Sequence, residues 1–142
     1  MKFNLLVVDD SRVMRSMIIK TVKMSGLLTG EVFQAGNGAE ALDVLQDAWV
    51  DLALVDINMP VMNGEELVAR MKALPDTVRV PVVVVSTEGS ETRINKLREA
   101  GIEFVHKPFT PEQLRDVVLR VTGAVVDHND ELPAGASNNL DF

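Results

Sequence analysis

The sequence predicts an α/β domain in which helices cover both faces of a five-stranded parallel sheet with strand order 2-1-3-4-5. Two observations lead to this class. Short apolar runs alternate five times with segments of helical spacing, and continuous apolar runs are typical of strands that a parallel sheet buries on both faces. Residues that start and end helices separate the two kinds of segment. Right-handed crossovers between such strands give a doubly wound (βα)5 architecture.

The strands are predicted from short runs rich in β-branched residues. They occupy residues 5–8, 32–35, 52–55, 82–85 and 104–105. The first helix is predicted from apolar residues at helical spacing, with basic residues on its opposite face. The apolar residues are Val13, Met14, Met17, Ile18 and Val22, and the basic residues are Arg12, Arg15, Lys20 and Lys23.

The later helices are predicted from the residues that begin and end them. Three pairs have the spacing of an N-cap residue and the third residue of a helix. These pairs are Asn37 with Glu40, Asn63 with Glu66, and Thr110 with Gln113. Pro111 follows Thr110 at the first helical position, where the fixed φ of proline suits a helix. Glycines lie where helix C-caps are expected, at Gly26, Gly101 and Gly123.

Composition limits the class of protein. A length of 142 residues corresponds to about one domain, and a net charge of −7 argues against direct binding to duplex DNA. The absence of cysteine excludes disulfides and cysteine-based metal sites. No apolar run approaches the ~20 residues that cross a bilayer, and the first residues lack a signal-peptide pattern. We therefore expect an acidic, soluble, cytoplasmic protein without membrane insertion.

Much of the acidity is concentrated near the C-terminus. Residues 124–142 contain acidic residues, no Lys or Arg, and no apolar periodicity, so they are predicted to form a disordered acidic tail. The folded domain is predicted to span residues 1–123.

Reactive side chains follow four of the five predicted strands. The first strand is followed by Asp9 and Asp10, the third by Asp56, the fourth by Ser86 and the fifth by Lys107. Each of these residues alone is commonly a turn former or a solvated surface residue. In doubly wound folds, however, the functional crevice lies beyond the carboxyl ends of the strands, and strand order 2-1-3-4-5 makes these four strands neighbours. Their convergence predicts a functional site.

The residue types at this site indicate phosphoryl transfer. Three neighbouring carboxylates repel each other unless a cation offsets their charge. Oxygen ligands without His or Cys favour Mg²⁺, for which Mn²⁺ can substitute. Lys107 and the Ser86 hydroxyl can hold phosphoryl oxygens, and Asp56 is the natural nucleophile.

Four motifs carry a resemblance to the receiver domain of bacterial response regulators, in particular the stand-alone chemotaxis type. The motifs are VVDDSR at 7–12, DINMPVMNG at 56–64, STE at 86–88 and KPF at 107–109. The resemblance covers residues 3–121 and implies the flavodoxin-like receiver fold. It also implies a signalling switch that catalyses only its own phosphorylation and dephosphorylation. Asp56 would accept a phosphoryl group from a histidine kinase or a His-phosphotransfer domain.

The same resemblance implies how the site binds its metal and phosphate. Asp10 and Asp56 would bind Mg²⁺ together with the backbone carbonyl of Asn58. Asp9 would act mainly through water. Lys107 would contact the acyl phosphate.

The resemblance further implies an output surface. Ser86 would move toward the phosphoryl group, and the aromatic Phe104 would follow. Their movement would switch a face formed by the fourth helix, fifth strand and fifth helix, roughly residues 90–121, to bind a downstream target protein. Asn58 and Glu88 would flank the phosphoryl group, where polar groups that orient water favour fast loss of phosphate.

Several alternatives remain open from the sequence. Chemotaxis or motility signalling is the expected pathway, and a phosphorelay intermediate of the sporulation type is the main alternative. A magnesium-dependent aspartyl-phosphate hydrolase would need an acid two residues after the nucleophile, where this chain has Asn58. A flavodoxin-like cofactor binder would need an anion cradle after the first strand, where Asp9 and Asp10 would repel phosphate. A degenerate receiver that acts only as a scaffold is disfavoured by the intact acceptor, metal and lysine positions.

Overall fold

The computed structural model describes residues 2–87 and 89–122, and within these ranges the chain forms five strands that alternate with five helices. The strands are β1 (Phe3–Val8), β2 (Thr29–Ala35), β3 (Leu52–Val55), β4 (Val82–Ser86) and β5 (Glu103–His106). The helices are α1 (Arg12–Met24), α2 (Gly38–Asp47), α3 (Gly64–Ala73), α4 (Glu91–Glu99) and α5 (Pro111–Thr122). Glu88, Gly123 and the predicted tail at 124–142 lie outside the described residues.

The strands form one parallel sheet in the order β2-β1-β3-β4-β5, which confirms the predicted topology. Val8 at the end of β1 pairs with Ala35 of β2 and with Val55 of β3. Ser86 at the end of β4 pairs with His106 at the end of β5. This register brings the carboxyl ends of β1, β3, β4 and β5 together at one edge of the sheet.

Alternate strand residues point to opposite faces of the sheet, and each face has its own apolar core. On one face, the strands pack against α2, α3 and α4 through Ala41, Leu45, Leu67, Val68, Met71 and Leu97. On the other, they pack against α1 and α5 through Ile18, Val22, Leu114, Val117 and Val118. The central strands are therefore buried on both sides, which explains their continuous apolar runs.

Two of the predicted capping boxes form as expected. The Asn63 side chain accepts from the Glu66 N–H at 2.9 Å, and Glu66 accepts in return from the Asn63 N–H at 3.1 Å. Thr110 and Gln113 bond each other in the same way at the start of α5. These reciprocal bonds satisfy backbone donors that the first turn of a helix leaves without partners.

The box at α2 is only half formed. Asn37 accepts from the Glu40 N–H, but Glu40 accepts from the N–H of Gly36, one residue before the N-cap. Gly26 and Gly101 follow α1 and α4 with φ of +87° and +82°, the left-handed conformation predicted for glycine beyond a helix end.

The buried face of α1 is narrower than its apolar face. Ile18 and Val22 are buried, and Met14 packs beside them one turn earlier. Val13 and Met17 belong to the same apolar face in the sequence, but they are 71% and 56% exposed. The stripe at 14, 18 and 22 faces the sheet and α5, and the stripe at 13 and 17 is rotated away from both.

No helix among the described residues combines the length and apolar character needed to cross a membrane.

Candidate functional site

The predicted reactive side chains lie together at the carboxyl ends of four strands. Asp9 follows β1 and Asp56 follows β3, whereas Ser86 is the last residue of β4 and Lys107 follows β5. The backbone bonds of the sheet continue into this region, because the Asp56 N–H donates to Val8 and the Lys107 N–H donates to Ser86, both at 2.9 Å. The site residues are thus held by the sheet itself.

Three carboxylates form an acidic cluster at this edge. One oxygen from each of Asp9, Asp10 and Asp56 lies within 4.8 Å of the others. Asp9 is 2% exposed, Asp56 is half-buried and Asp10 is exposed to solvent. Because the donors are all oxygens and one side of the cluster faces water, the residues fit a hard cation that keeps part of its hydration shell, such as Mg²⁺.

Lys107 lies inside the cluster and neutralises part of its charge. Its Nζ donates to Asp9 Oδ2 at 2.9 Å and lies 3.9 Å from Asp56 Oδ2. The lysine is 9% exposed, so water screens these contacts little. One ammonium among three carboxylates leaves an excess of negative charge for a cation to offset.

Burial raises the pKa of Asp56 above its ordinary value, and the charge of Asp9 raises it further. A hydrogen bond with Ser86, the charge of Lys107, and the backbone N–H of Ile57 at 2.8 Å act in the opposite direction but are outweighed. Ionised Asp56 therefore costs folding free energy in the metal-free protein.

Replacing Asp56 with Asn should stabilise the metal-free protein at neutral pH. The folded-state pKa is raised, so Asp56 favours folding most when it is protonated, and the parent loses stability as pH rises through that pKa. Asn carries no charge at any pH, so we expect the variant to have a larger free energy of unfolding than the parent at pH 7, with the difference shrinking as pH falls. Urea unfolding in chelator at pH 7 and pH 4 measures the difference.

The matched control for this measurement is Asp43→Asn. Asp43 is exposed on α2 and is not one of the clustered carboxylates, so this variant should have nearly the stability of the parent at either pH. A lower stability of Asp56→Asn than of the parent at pH 7 would contradict the conclusion that ionised Asp56 destabilises the metal-free protein.

Arg15 orients the β1–α1 loop, a role that the sequence reasoning missed. Its Nη1 donates to the backbone oxygen of Asp9 at 2.6 Å, and its Nε donates to Gln34 at 3.0 Å. The N–H of Ser11, the N-cap of α1, donates to Asp9 Oδ1 at 2.9 Å. Together these bonds fix Asp9 against the sheet. The available signal was the position of Arg15 one helical turn after Ser11, close to the acidic pair.

Two further predicted residues, Asn58 and Phe104, lie outside the acidic cluster. Asn58 is exposed in the loop between β3 and α3, two residues after Asp56. Phe104 lies within β5, paired in register with Val84, and its ring packs against the core on the α2, α3 and α4 side of the sheet. The structure places it beside that core rather than with the carboxylates. Glu88 lies outside the described residues.

Comparison with known proteins matches this chain to one family over most of its length. The family described as "Response regulator receiver domain" matches residues 5–119. A chemotaxis protein CheY homolog of Campylobacter jejuni is 38% identical over 121 residues, covering 84% of this chain and 92% of the relative.

Solved structures agree with this assignment. The structure of CheY4, a chemotaxis response regulator of Vibrio cholerae, has a TM-score of 0.73 and 34% identity, and the match covers 85% of this chain and 99% of the other. The receiver domain of the Pseudomonas aeruginosa histidine kinase PA1611, solved with magnesium in its active-site cleft, shares the fold at a TM-score of 0.75 and 22% identity, over 87% of this chain and all of the other. The chain belongs to the response regulator receiver domain family and is a CheY-like receiver.

Proposed function

We propose that this protein is a phosphorylation-activated switch that accepts a phosphoryl group on Asp56 from a histidine kinase or a His-phosphotransfer domain. The observation that carries the proposal is the convergence of three carboxylates with Lys107 at the carboxyl edge of the sheet. A CheY-like receiver is a signalling switch rather than a conventional enzyme, and this site contains the groups that such a switch needs.

Each side chain has a defined task in the transfer. A carboxylate oxygen of Asp56 attacks the phosphorus of a phosphohistidine, the P–N bond breaks, and the imidazole nitrogen keeps the electron pair and takes a proton from solvent. Lys107 stabilises the developing charge on the phosphoryl oxygens. Mg²⁺, when bound, supplies positive charge that offsets the carboxylates and the phosphoryl group, and Asp9, Asp10, Asp56 and the carbonyl of Asn58 would hold it.

The switch follows from the new charge at Asp56. Ser86 already hydrogen-bonds Asp56 and is buried, so its hydroxyl is placed to turn toward an added phosphoryl oxygen. Because Phe104 packs against the α4 side of the sheet, its ring would follow this movement and reshape the surface at residues 90–121. Phosphorylation thereby shifts a pre-existing equilibrium toward a state that binds a target protein.

Chemotaxis signalling is the pathway that we propose, on the strength of the similar chemotaxis proteins.

Phosphate loss from Asp56 would be tuned by polar groups beside the phosphoryl group. Asn58 lies two residues after Asp56 in an exposed loop, where its carboxamide can orient attacking water. Glu88 is proposed as the second tuning residue from the sequence alone.

Beryllofluoride, which mimics a phosphoryl group, tests the switch without a kinase. With Mg²⁺, it should shift the amide NMR signals of Ser86, Phe104 and the surface at 90–121. The control is Asp56→Asn, which lacks the carboxylate that holds the mimic and should show none of these shifts. Equal spectra of the parent with and without beryllofluoride, or equal shifts in the variant, would overturn the proposed switch.

A further inference from the structure

An arginine of α4 reaches across the mouth of the site to α3. Arg93 lies in the first turn of α4, and its Nη2 donates to Glu65 Oε1 at 2.6 Å. Glu65 lies in the first turn of α3, and about one third of each side chain is exposed. The ion pair therefore joins the starts of the two helices that follow Asp56 and Ser86 along the chain.

The same guanidinium contacts a residue beside the phosphoacceptor. Arg93 Nη1 lies 3.4 Å from Asn58 Oδ1. A guanidinium has only donors, so the Asn58 atom that faces it is the carboxamide oxygen and not the nitrogen. The contact is long, but the ion pair with Glu65 holds the guanidinium in place. The carboxamide oxygen of Asn58 is therefore turned toward Arg93.

We propose that Arg93 is a positioning residue that lengthens the lifetime of the phosphoryl group by restraining the carboxamide oxygen of Asn58. This inference rests on the proposed phosphorylation of Asp56. In hydrolysis, a water oxygen attacks phosphorus, the P–O bond to Asp56 breaks, Asp56 leaves as a carboxylate, and the water loses a proton to solvent. The Asn58 oxygen orients that water by accepting a hydrogen bond from it.

Arg93 competes with the attacking water for this oxygen. A charged donor bonds a carbonyl oxygen more strongly than a neutral one does. While Glu65 anchors Arg93, the Asn58 oxygen is turned toward α4. It then accepts a hydrogen bond less often from a water that is oriented for attack. A surface ion pair of this kind adds little to the stability of a fold, so its effect is expected on phosphate lifetime rather than on folding.

The first test measures phosphate loss after phosphorylation with acetyl phosphate and Mg²⁺ and removal of the donor. We expect Arg93→Ala to lose phosphate about 3- to 10-fold faster than the parent, a size typical of coupled neighbours. Glu65→Ala, which removes this ion pair but keeps Arg93, should show a smaller increase. The control is Arg70→Ala in the last turn of α3, where the arginine is exposed, and this variant should lose phosphate at the parent rate. An unchanged lifetime in Arg93→Ala would overturn the proposal.

A double-mutant cycle separates positioning from a general loosening of α4. If Arg93 acts through Asn58, Arg93→Ala should not accelerate phosphate loss further in an Asn58→Ala background. Persistent acceleration in that background would overturn the proposal.

A readout in the resting protein keeps this inference separate from the proposed function. The side-chain amide NMR signal of Asn58 should shift in Arg93→Ala and stay in place in Arg70→Ala. An unchanged signal would show that Arg93 does not position the Asn58 carboxamide, even if Asp56 is phosphorylated normally. A chain that acetyl phosphate does not phosphorylate would instead overturn the proposed function, and this inference with it.

Discussion

Lys107→Ala is expected to lower the rate of Asp56 phosphorylation by about 100-fold or more, the loss typical of removing one group that stabilises transition-state charge. Lys107 is the cationic side chain that contacts both Asp9 and Asp56, at 2.9 and 3.9 Å. Its charge also lowers the pKa of Asp56, so without it the carboxylate would be harder to ionise. The rate of reaction with acetyl phosphate in excess Mg²⁺ measures the effect directly.

The control for the lysine is Lys72→Ala. Lys72 is exposed in the last turn of α3, so its replacement makes the same change in net charge away from the cluster. Its phosphorylation rate should stay close to that of the parent. A rate for Lys107→Ala within about twofold of the parent would be far below the loss expected of a charge-stabilising group, and the proposed role of Lys107 would then be wrong.

Gly64→Ala should destabilise the fold by about 3 kcal/mol or more, at the upper end of the cost of overpacking. A Cβ at this position would clash with the backbone oxygen of Asp56 and would lie 2.9 Å from Cα of Ile57. Both are backbone atoms and cannot rotate away, so α3 would have to move from the end of β3. That movement would also break the bond from the Gly64 N–H to Ile57, which is 2.8 Å long.

The glycine prediction is tested by urea unfolding beside Gly89→Ala. A Cβ at Gly89 would meet nothing within 4 Å, and its φ lies outside the range that disfavours side chains. Its stability should therefore change by less than about 1 kcal/mol in either direction. Equal stabilities of the two variants would show that the close approach of α3 to the end of β3 does not require glycine at position 64.

The fold was predictable because its signals are local. Each central strand is a continuous apolar run, and the pairs Asn63 with Glu66 and Thr110 with Gln113 mark helix starts through bonds within one turn. Strand order then brings Asp9, Asp56 and Lys107 together, because parallel strands end at the same edge of the sheet. The sequence therefore predicts that these residues lie together.

The features that the sequence did not predict depend on contacts between distant segments. The apolar spacing of α1 does not show which residues of its apolar face pack against α5 and which, like Val13 and Met17, are exposed. Arg93 lies 28 residues from Glu65 and 35 from Asn58, and no local pattern links an arginine on one helix to a loop that follows another strand. Predicting which side chains meet across the site requires knowing how the helices are placed relative to one another.

The most direct test of the central claim is the intact mass of the protein after incubation with acetyl phosphate. With Mg²⁺, the parent should gain the mass of one phosphoryl group, and fragmentation should locate it on Asp56. Chelation of Mg²⁺ and the Asp56→Asn substitution should each abolish the gain. A phosphoryl group on another residue, an equal gain without Mg²⁺, or an equal gain in Asp56→Asn would contradict the assignment of Asp56 as a magnesium-dependent phosphoacceptor.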